Sequence, residues 1–230
     1  MKKLLVLLVA TIAVPTVRAD DNNNKLTLRE KKAGWILLFD GKTTAGWQTI
    51  KQRPLPGRHV QDGALNPHPC NYMLIHGKVW DDFVLSLDVK ISKGCNSGIF
   101  FRTFPLMPRE GKDVGFNGLE IAIDDTSTSG YHDTGAIYDL VKPKENAMKP
   151  VGNWNRVVLT CKDNLVSVEV NGHKVASMDL NQWTEKNKRP DKSDHKFDIA
   201  YKGHPRKGYI GLQYHGADCW YKNIKLRVLK

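Results

Sequence analysis

Gly118-Leu-Glu-Ile-Ala-Ile-Asp-Asp125 reads as a β-strand. Side chains alternate along a strand, so Leu119, Ile121 and Ile123 share one face and Glu120, Ala122 and Asp124 share the other. The apolar face belongs in a core. A face with two carboxylates belongs either in open water or in a site. The neighbouring segments determine which of the two holds here.

Those segments are short strands separated by turn signals. Trp35 to Phe39 ends at Asp40-Gly41, and Gly57 to Leu65 contains Asp62-Gly63. Tyr72 to His76 ends at Gly77, Phe83 to Ser92 alternates over its whole length, and Ser97 to Phe104 stops at Pro105. Gly135 to Leu140 follows. Asn155 to Cys161, Leu165 to Val170 and His173 to Asp179 come next, the last two joined by Asn171-Gly172, a strong hairpin signal. Gly208 to His215 and Cys219 to Val228 complete the set, and Asn181 to Asn187 suits one short helical turn. Many short strands without long helical periodicity predict an all-β chain, an antiparallel sandwich over residues 34–230. Residues 20–33 are polar and predict a flexible lead-in. The connections 105–117, 126–134 and 183–207 are long for hairpins. The first two flank the strand at 118–125 and are expected to wall a cleft above it, whereas the third reads as solvated.

Met1-Lys-Lys, an apolar run from Leu4 to Val14 and small residues up to Ala19 form an export leader, with cleavage expected near Ala19. The run is shorter than the roughly 20 residues of a membrane span, and no other stretch suits one. A periplasmic or secreted protein is therefore expected. Of the formal net charge of +11, Lys2, Lys3 and Arg18 sit in the leader, and the remaining cations are scattered or interleaved with acids. That pattern does not predict nucleic acid binding. Four cysteines, Cys70, Cys95, Cys161 and Cys219, allow three disulfide pairings, and none has C-x-x-C spacing.

Period-two alternation puts polar residues on one face of several strands: Glu120 and Asp124, Arg102 opposite Ile99 and Phe101, Tyr138 opposite Ile137, and Gln213 and His215 opposite Leu212. Gly211 and Ala122 on that face leave room for a ligand. Glu120 and Asp124 do not form a conventional glycosidase pair. Four residues of strand span roughly 13 Å, against about 5 to 9.5 Å for retaining and inverting pairs. One carboxylate with His215 as an acid/base partner suits the pattern better. Asp124, Asp125 and Asp133 leave a divalent cation open, and no organic cofactor is expected. Trp47, Trp80, Tyr131, Trp183 and Trp220 are candidates for sugar stacking or for the core. No nucleophile elbow, phosphate loop or zinc-protease motif is present.

Leu38-Phe-Asp-Gly-Lys-Thr-Thr-Ala-Gly-Trp47, Asn96-Ser-Gly-Ile-Phe-Phe-Arg102, Gly118-Leu-Glu120, Gly135-Ala-Ile-Tyr138, Gly152-Asn-Trp-Asn155, Val170-Asn-Gly172 and Gly211-Leu-Gln-Tyr-His-Gly216 occur in this order. Together they resemble the 3-keto-disaccharide hydrolase family over about residues 34–229. The resemblance implies a concanavalin A-like jelly roll acting on glycosides whose glucose unit is oxidised at carbon 3. For that chemistry Glu120 and His215 are the base and acid candidates, Arg102, Gln213 and Tyr138 are expected to orient the keto sugar or hold the developing oxyanion, and Asp124 and Asn96 are further expected sugar contacts. No protein ligand set for a metal is expected. A non-catalytic carbohydrate-binding sandwich is the alternative, and the sequence leaves the oligomeric state open.

Overall fold

The computed structural model describes residues 23–230, so the leader expected over residues 1–19 lies outside the described residues. Thirteen strands follow one another: β1 (Trp35–Leu37), β2 (Trp47–Thr49), β3 (Val60–Gln61), β4 (Ala64–Leu65), β5 (Met73–Trp80), β6 (Phe83–Ile91), β7 (Asn96–Thr103), β8 (Leu119–Asp124), β9 (Asn155–Lys162), β10 (Leu165–Val170), β11 (His173–Asp179), β12 (Gly208–Gln213) and β13 (Cys219–Val228). They form two antiparallel sheets. The larger runs β11-β10-β9-β6-β13-β4-β3, with β1 also on β13; the smaller runs β2-β5-β12-β7-β8. The predicted all-β antiparallel sandwich is the fold observed. No helix of the described residues is long and apolar enough to cross a membrane.

The alternating residues meet between the sheets. Leu85, Leu87 and Val89 of β6 and Leu159 of β9 share one buried cluster with Ile99 and Phe101 of β7, Leu119, Ile121 and Ile123 of β8, and Leu212 of β12. Burial of such side chains stabilises by about 1.5–3 kcal/mol each. Trp47 and Trp183 belong to this core, and the Trp47 indole N–H donates to the Leu38 carbonyl at 2.7 Å. Asp62-Gly63 and Asn171-Gly172 each have positive φ at both positions, the geometry that joins twisted antiparallel strands in a two-residue loop. Strand β5 runs on past Gly77 to Trp80, because its pairing with β12 continues to Val79 and Trp80, beyond the end of its pairing with β2 at His76. All four cysteines are free thiols in this structure.

Alternation breaks at several bulges, and two of them place functional or structural side chains. Asn223 of β13 has φ +53, and the register shifts between Lys222 and Lys225, so Tyr221 and Ile224 both point inward. On β7, Arg102 has φ +50, and the pairing with β12 shifts by one residue between Phe100 and Thr103. An extra residue on one strand turns the following side chains to the other face. Arg102 was expected to contact sugar on the polar face. The bulge sends it inward instead, where it is fully buried. Its guanidinium donates to the Asp163 carbonyl at 2.9 Å and pairs with Asp82 at 3.2 Å, at the edge of the opposite sheet. Arg102 is a strut between the sheets.

The lead-in is partly anchored. Helix α1 (Leu28–Lys32) starts at a capping box in which Thr27 and Glu30 bond reciprocally. The Asn24 and Asn223 side chains each accept from the other's backbone N–H, at 2.8 and 2.6 Å. Two of the long connections fold over the smaller sheet. In residues 105–117, Val114 packs on Met73, Ile75 and Phe100 in a second cluster on the sheet's outer face. In residues 183–207, Trp183, Phe197 and Tyr201 are core residues, so that stretch is not the solvated loop expected. Arg109 and Asp198 tie these two connections together through a forked ion pair at 2.8 and 3.0 Å.

Arg102→Met is expected to lower stability by about 3 kcal/mol, because it removes the cation paired with the part-buried Asp82 and the donor to the Asp163 carbonyl. Denaturant unfolding checks this. An unchanged midpoint combined with lost sugar binding would return Arg102 to the role expected from sequence.

Candidate active site

Strands β12, β7 and β8 lie side by side, and the outer face of the smaller sheet above them, between residues 114–117 and 135–138, is taken as the recess of the candidate site. Their register pairs Gly211 with Phe100 and Phe100 with Glu120, and Gly98 with Ala122. Because Leu119 and Ile121 face the core, Glu120 must face outward. Gly98 gives it room: a Cβ there would lie 2.1 Å from the Glu120 Oε1 and 2.8 Å from its Cγ. The carboxylate therefore leans across β7, over the Gly98 backbone, toward β12. Only a missing side chain permits that position.

Gln213 stands beside Gly98 on β12. It is 7% exposed, and its side-chain oxygen has no hydrogen-bond partner. A buried acceptor without a donor is costly unless a ligand supplies one. Tyr72 borders the same recess and escaped the sequence reading. Its backbone has φ +80, an uncommon conformation for a bulky residue. Its carbonyl accepts from the Tyr214 N–H at 2.8 Å. Its ring packs 5.9 Å from that of Phe100, and a Cβ on Gly115 would lie 2.1 Å from its hydroxyl. Nothing in the run Cys70-Asn-Tyr-Met73 signals this.

On the other side, residues 135–138 extend the sheet beyond β8. The Tyr138 N–H donates to the Glu120 carbonyl at 2.9 Å, and Ile137 bridges Ile121. Tyr138 therefore shares the Glu120 face. It stacks on His132 at 4.6 Å and carries the Lys196 ammonium 4.1 Å from its ring centre. Lys196 comes from the 183–207 connection, and Asp139 accepts from its backbone N–H at 2.7 Å. Sequence reading missed Lys196 because it stands in a mixed-charge stretch.

Of the residues expected at the site, Glu120, Gln213 and Tyr138 come together. Asp124 and Asn96 face each other two rungs away, near the far end of β8. Asp124 accepts from Thr134 N–H at 3.0 Å and lines a separate 260 Å³ cavity with Asp125, Thr126 and Asn146. Asp133 is bound by Thr128 and the Gly130 N–H. Among the described residues no three His, Cys, Asp or Glu side chains are grouped to hold a metal ion. His215 is exposed in a bend past the end of β12. It lies four residues past Gly211, the β12 residue level with Phe100 and Glu120.

Electrostatics single out Glu120. Burial pushes its carboxyl up to about 8, and the Lys196 ammonium opposes the rise only in part. No hydrogen bond and no second carboxylate contributes to that balance. Burial likewise raises the Tyr72 hydroxyl well above its usual value, helped by the Glu120 and Asp113 charges and opposed by Gln213 and the Gly115 backbone. Unfolding returns Glu120 to about 4.5. The folded chain then holds a proton that the unfolded chain has released, so this contribution to stability is complete below pH 4.5 and is lost as pH rises through 8. Glu120→Gln is expected to raise stability over the unaltered protein by on the order of 3 kcal/mol at pH 9 and by almost nothing at pH 4.5. Melting curves at the two pH values check this; equal shifts at both would overturn it.

Known proteins resemble the chain over nearly this whole sandwich. A curated relative from Bacteroides thetaiotaomicron, a 3-keto-disaccharide hydrolase, is 26% identical over 85% of this chain and 79% of its own length. Two crystal structures of candidate glycosyl hydrolases from Parabacteroides distasonis share the fold. One has a TM-score of 0.70 at 29% identity, covering 85% of this chain and 99% of that one. The other has a TM-score of 0.76 at 24% identity, covering 90% and 100%. Residues 34–227 match the model of the 3-keto-alpha-glucoside-1,2-lyase-like domain. The chain belongs to that family.

Proposed function

We propose that this protein cleaves the glycosidic bond of a glucoside oxidised at carbon 3, by elimination across C1 and C2 followed by addition of water. The observation that carries this reading is the placement of Glu120: its carboxylate leans over Gly98 on the outer face of the smaller sheet, and the carboxyls that share its strand face do not pair with it there. Ordinary glycoside hydrolysis needs two carboxyl groups flanking the bond. A 3-keto sugar does not, because the carbonyl acidifies the hydrogen on C2, and one general base then suffices.

The step balances with one base. Glu120 takes the C2 proton, and the C–H electron pair becomes the enolate of C2, C3 and the keto oxygen. The enolate collapses, the C1–O bond breaks, and its pair leaves on the aglycone oxygen, which takes a proton. The sugar is left with a C1=C2 double bond conjugated to the ketone. Water adds its oxygen to C1, and a proton returns to C2, giving the free 3-keto sugar. The lyase in the family's name and the hydrolase in the relative's name are consistent with the two halves of this sequence.

The residues around Glu120 fit such a substrate. Burial makes the carboxylate a stronger base than an exposed one. The unpaired Gln213 oxygen accepts a sugar hydroxyl, and Tyr138 with Lys196 offers a ring face and a cation at the rim. The leader read at the N-terminus supports export of the protein to where glycosides are met.

The base must be ionised, so kcat/KM on a 3-keto-glucoside is expected to rise about tenfold per pH unit at low pH and to level off above about 8. Glu120→Gln is expected to lower kcat by about 10²–10⁴-fold. Product analysis by mass spectrometry over pH 5–10, with ordinary disaccharides as controls, tests both. Binding without turnover by the unaltered protein, or turnover that survives Glu120→Gln, would sink the reading.

A further inference from the structure

We propose that the Tyr72 hydroxyl is the hydrogen-bond donor that holds the enolate oxygen while Glu120 removes the C2 proton. This rests on the reading of Glu120 as the base. The enolate's charge gathers on the oxygen at C3, one carbon from the site of proton removal. Its donor must therefore lie near the base but approach along the plane of the C3 carbonyl, while the base approaches C2 from the face of the ring.

Three independent features put Tyr72 there. Gly115 leaves space for the hydroxyl, since any side chain at 115 would collide with it. The ring rests against Phe100, which is the cross-strand neighbour of Glu120 on the recess floor. The residue keeps a left-handed backbone at φ +80, held by the bond from the Tyr214 N–H to its carbonyl. A non-glycine residue held in that conformation signals a constraint imposed by its surroundings, and such residues cluster at active sites. Gln213, with its unpaired oxygen, stands between Tyr72 and Gly98 on the strand order β5-β12-β7.

The other donors suit the task less well. Lys196 is exposed and stands at the Tyr138 edge, on the same side as Glu120. His215 lies outside the recess. Tyr72 stays protonated at working pH because its surroundings oppose the tyrosinate, so it donates a hydrogen bond and keeps its proton. The proton inventory is unchanged: the C2 proton goes to Glu120, and the aglycone oxygen is protonated by Glu120 or by water.

The test separates proton removal from bond cleavage. The probe is 1,5-anhydro-3-keto-glucitol, which has no aglycone to lose, incubated in D₂O with exchange at C2 followed by NMR. The unaltered protein is expected to exchange C2, and Glu120→Gln is expected to lose exchange. Tyr72→Phe is expected to lower both C2 exchange and kcat on a cleavable 3-keto-glucoside by about 10²–10³-fold, with little change in KM. Gly115→Ala keeps the hydroxyl but displaces it, and is expected to lower exchange as well while still unfolding cooperatively. Tyr72→Phe with exchange within about threefold of the unaltered protein would overturn this assignment alone, whether turnover persists or falls. Failure of the unaltered protein to exchange C2 would overturn the single-base reading itself, and the Tyr72 assignment with it.

Discussion

Ile121 is fully buried between the two sheets, and its burial commits its neighbours. Period-two alternation lets a strand residue face the core only if the next one faces away. With Leu119, Ile121 and Ile123 locked into the core, Glu120 and Ala122 have no choice of face. A register slip that moved Glu120 inward would put a carboxylate into the apolar interior between the sheets and expose three large apolar side chains. The hydrophobic effect thus positions the candidate base, and the site inherits its rigidity from the core beneath it.

The site then depends on what is missing around that carboxylate. Gly98 has no side chain to displace Glu120, and Gly115 none to displace the Tyr72 hydroxyl. Ala122 brings no second charge, and Gln213 keeps an oxygen without a donor. Each omission costs stability or leaves it ungained, and together they make a recess in which one carboxyl titrates near 8. Such local destabilisation is a common property of functional sites, where activity and stability pull in opposite directions.

Two bulges show where simple alternation stops being a guide. Arg102 sits two residues past Phe100 in sequence, and strict alternation would put both on the recess floor. One positive φ on β7 turns the guanidinium into the interior, where Asp82 and the Asp163 carbonyl take it. Asn223 marks a second such break on β13, and its half-buried backbone and side chain anchor the lead-in through Asn24. No residue pattern in either strand announces a bulge, because its position depends on the register with a partner strand.

The sequence alone determined the all-β class, most strand positions, the Asp-Gly and Asn-Gly hairpins, and the outward face of Glu120, since these follow from local alternation and turn chemistry. The ordered short motifs carried the family, which the match over residues 34–227 bears out. Only the tertiary structure decided which polar residues share the recess. It brought Gln213 and Tyr138 to Glu120, sent Arg102 into the core, and left His215 exposed beyond the strand end. It also supplied Tyr72 and Lys196, from a strained approach to a strand and from a connection that reads as solvent-facing. Those placements depend on strand order, register and loop packing. Such contacts join residues far apart in the chain, and alternation within one segment carries no information about them.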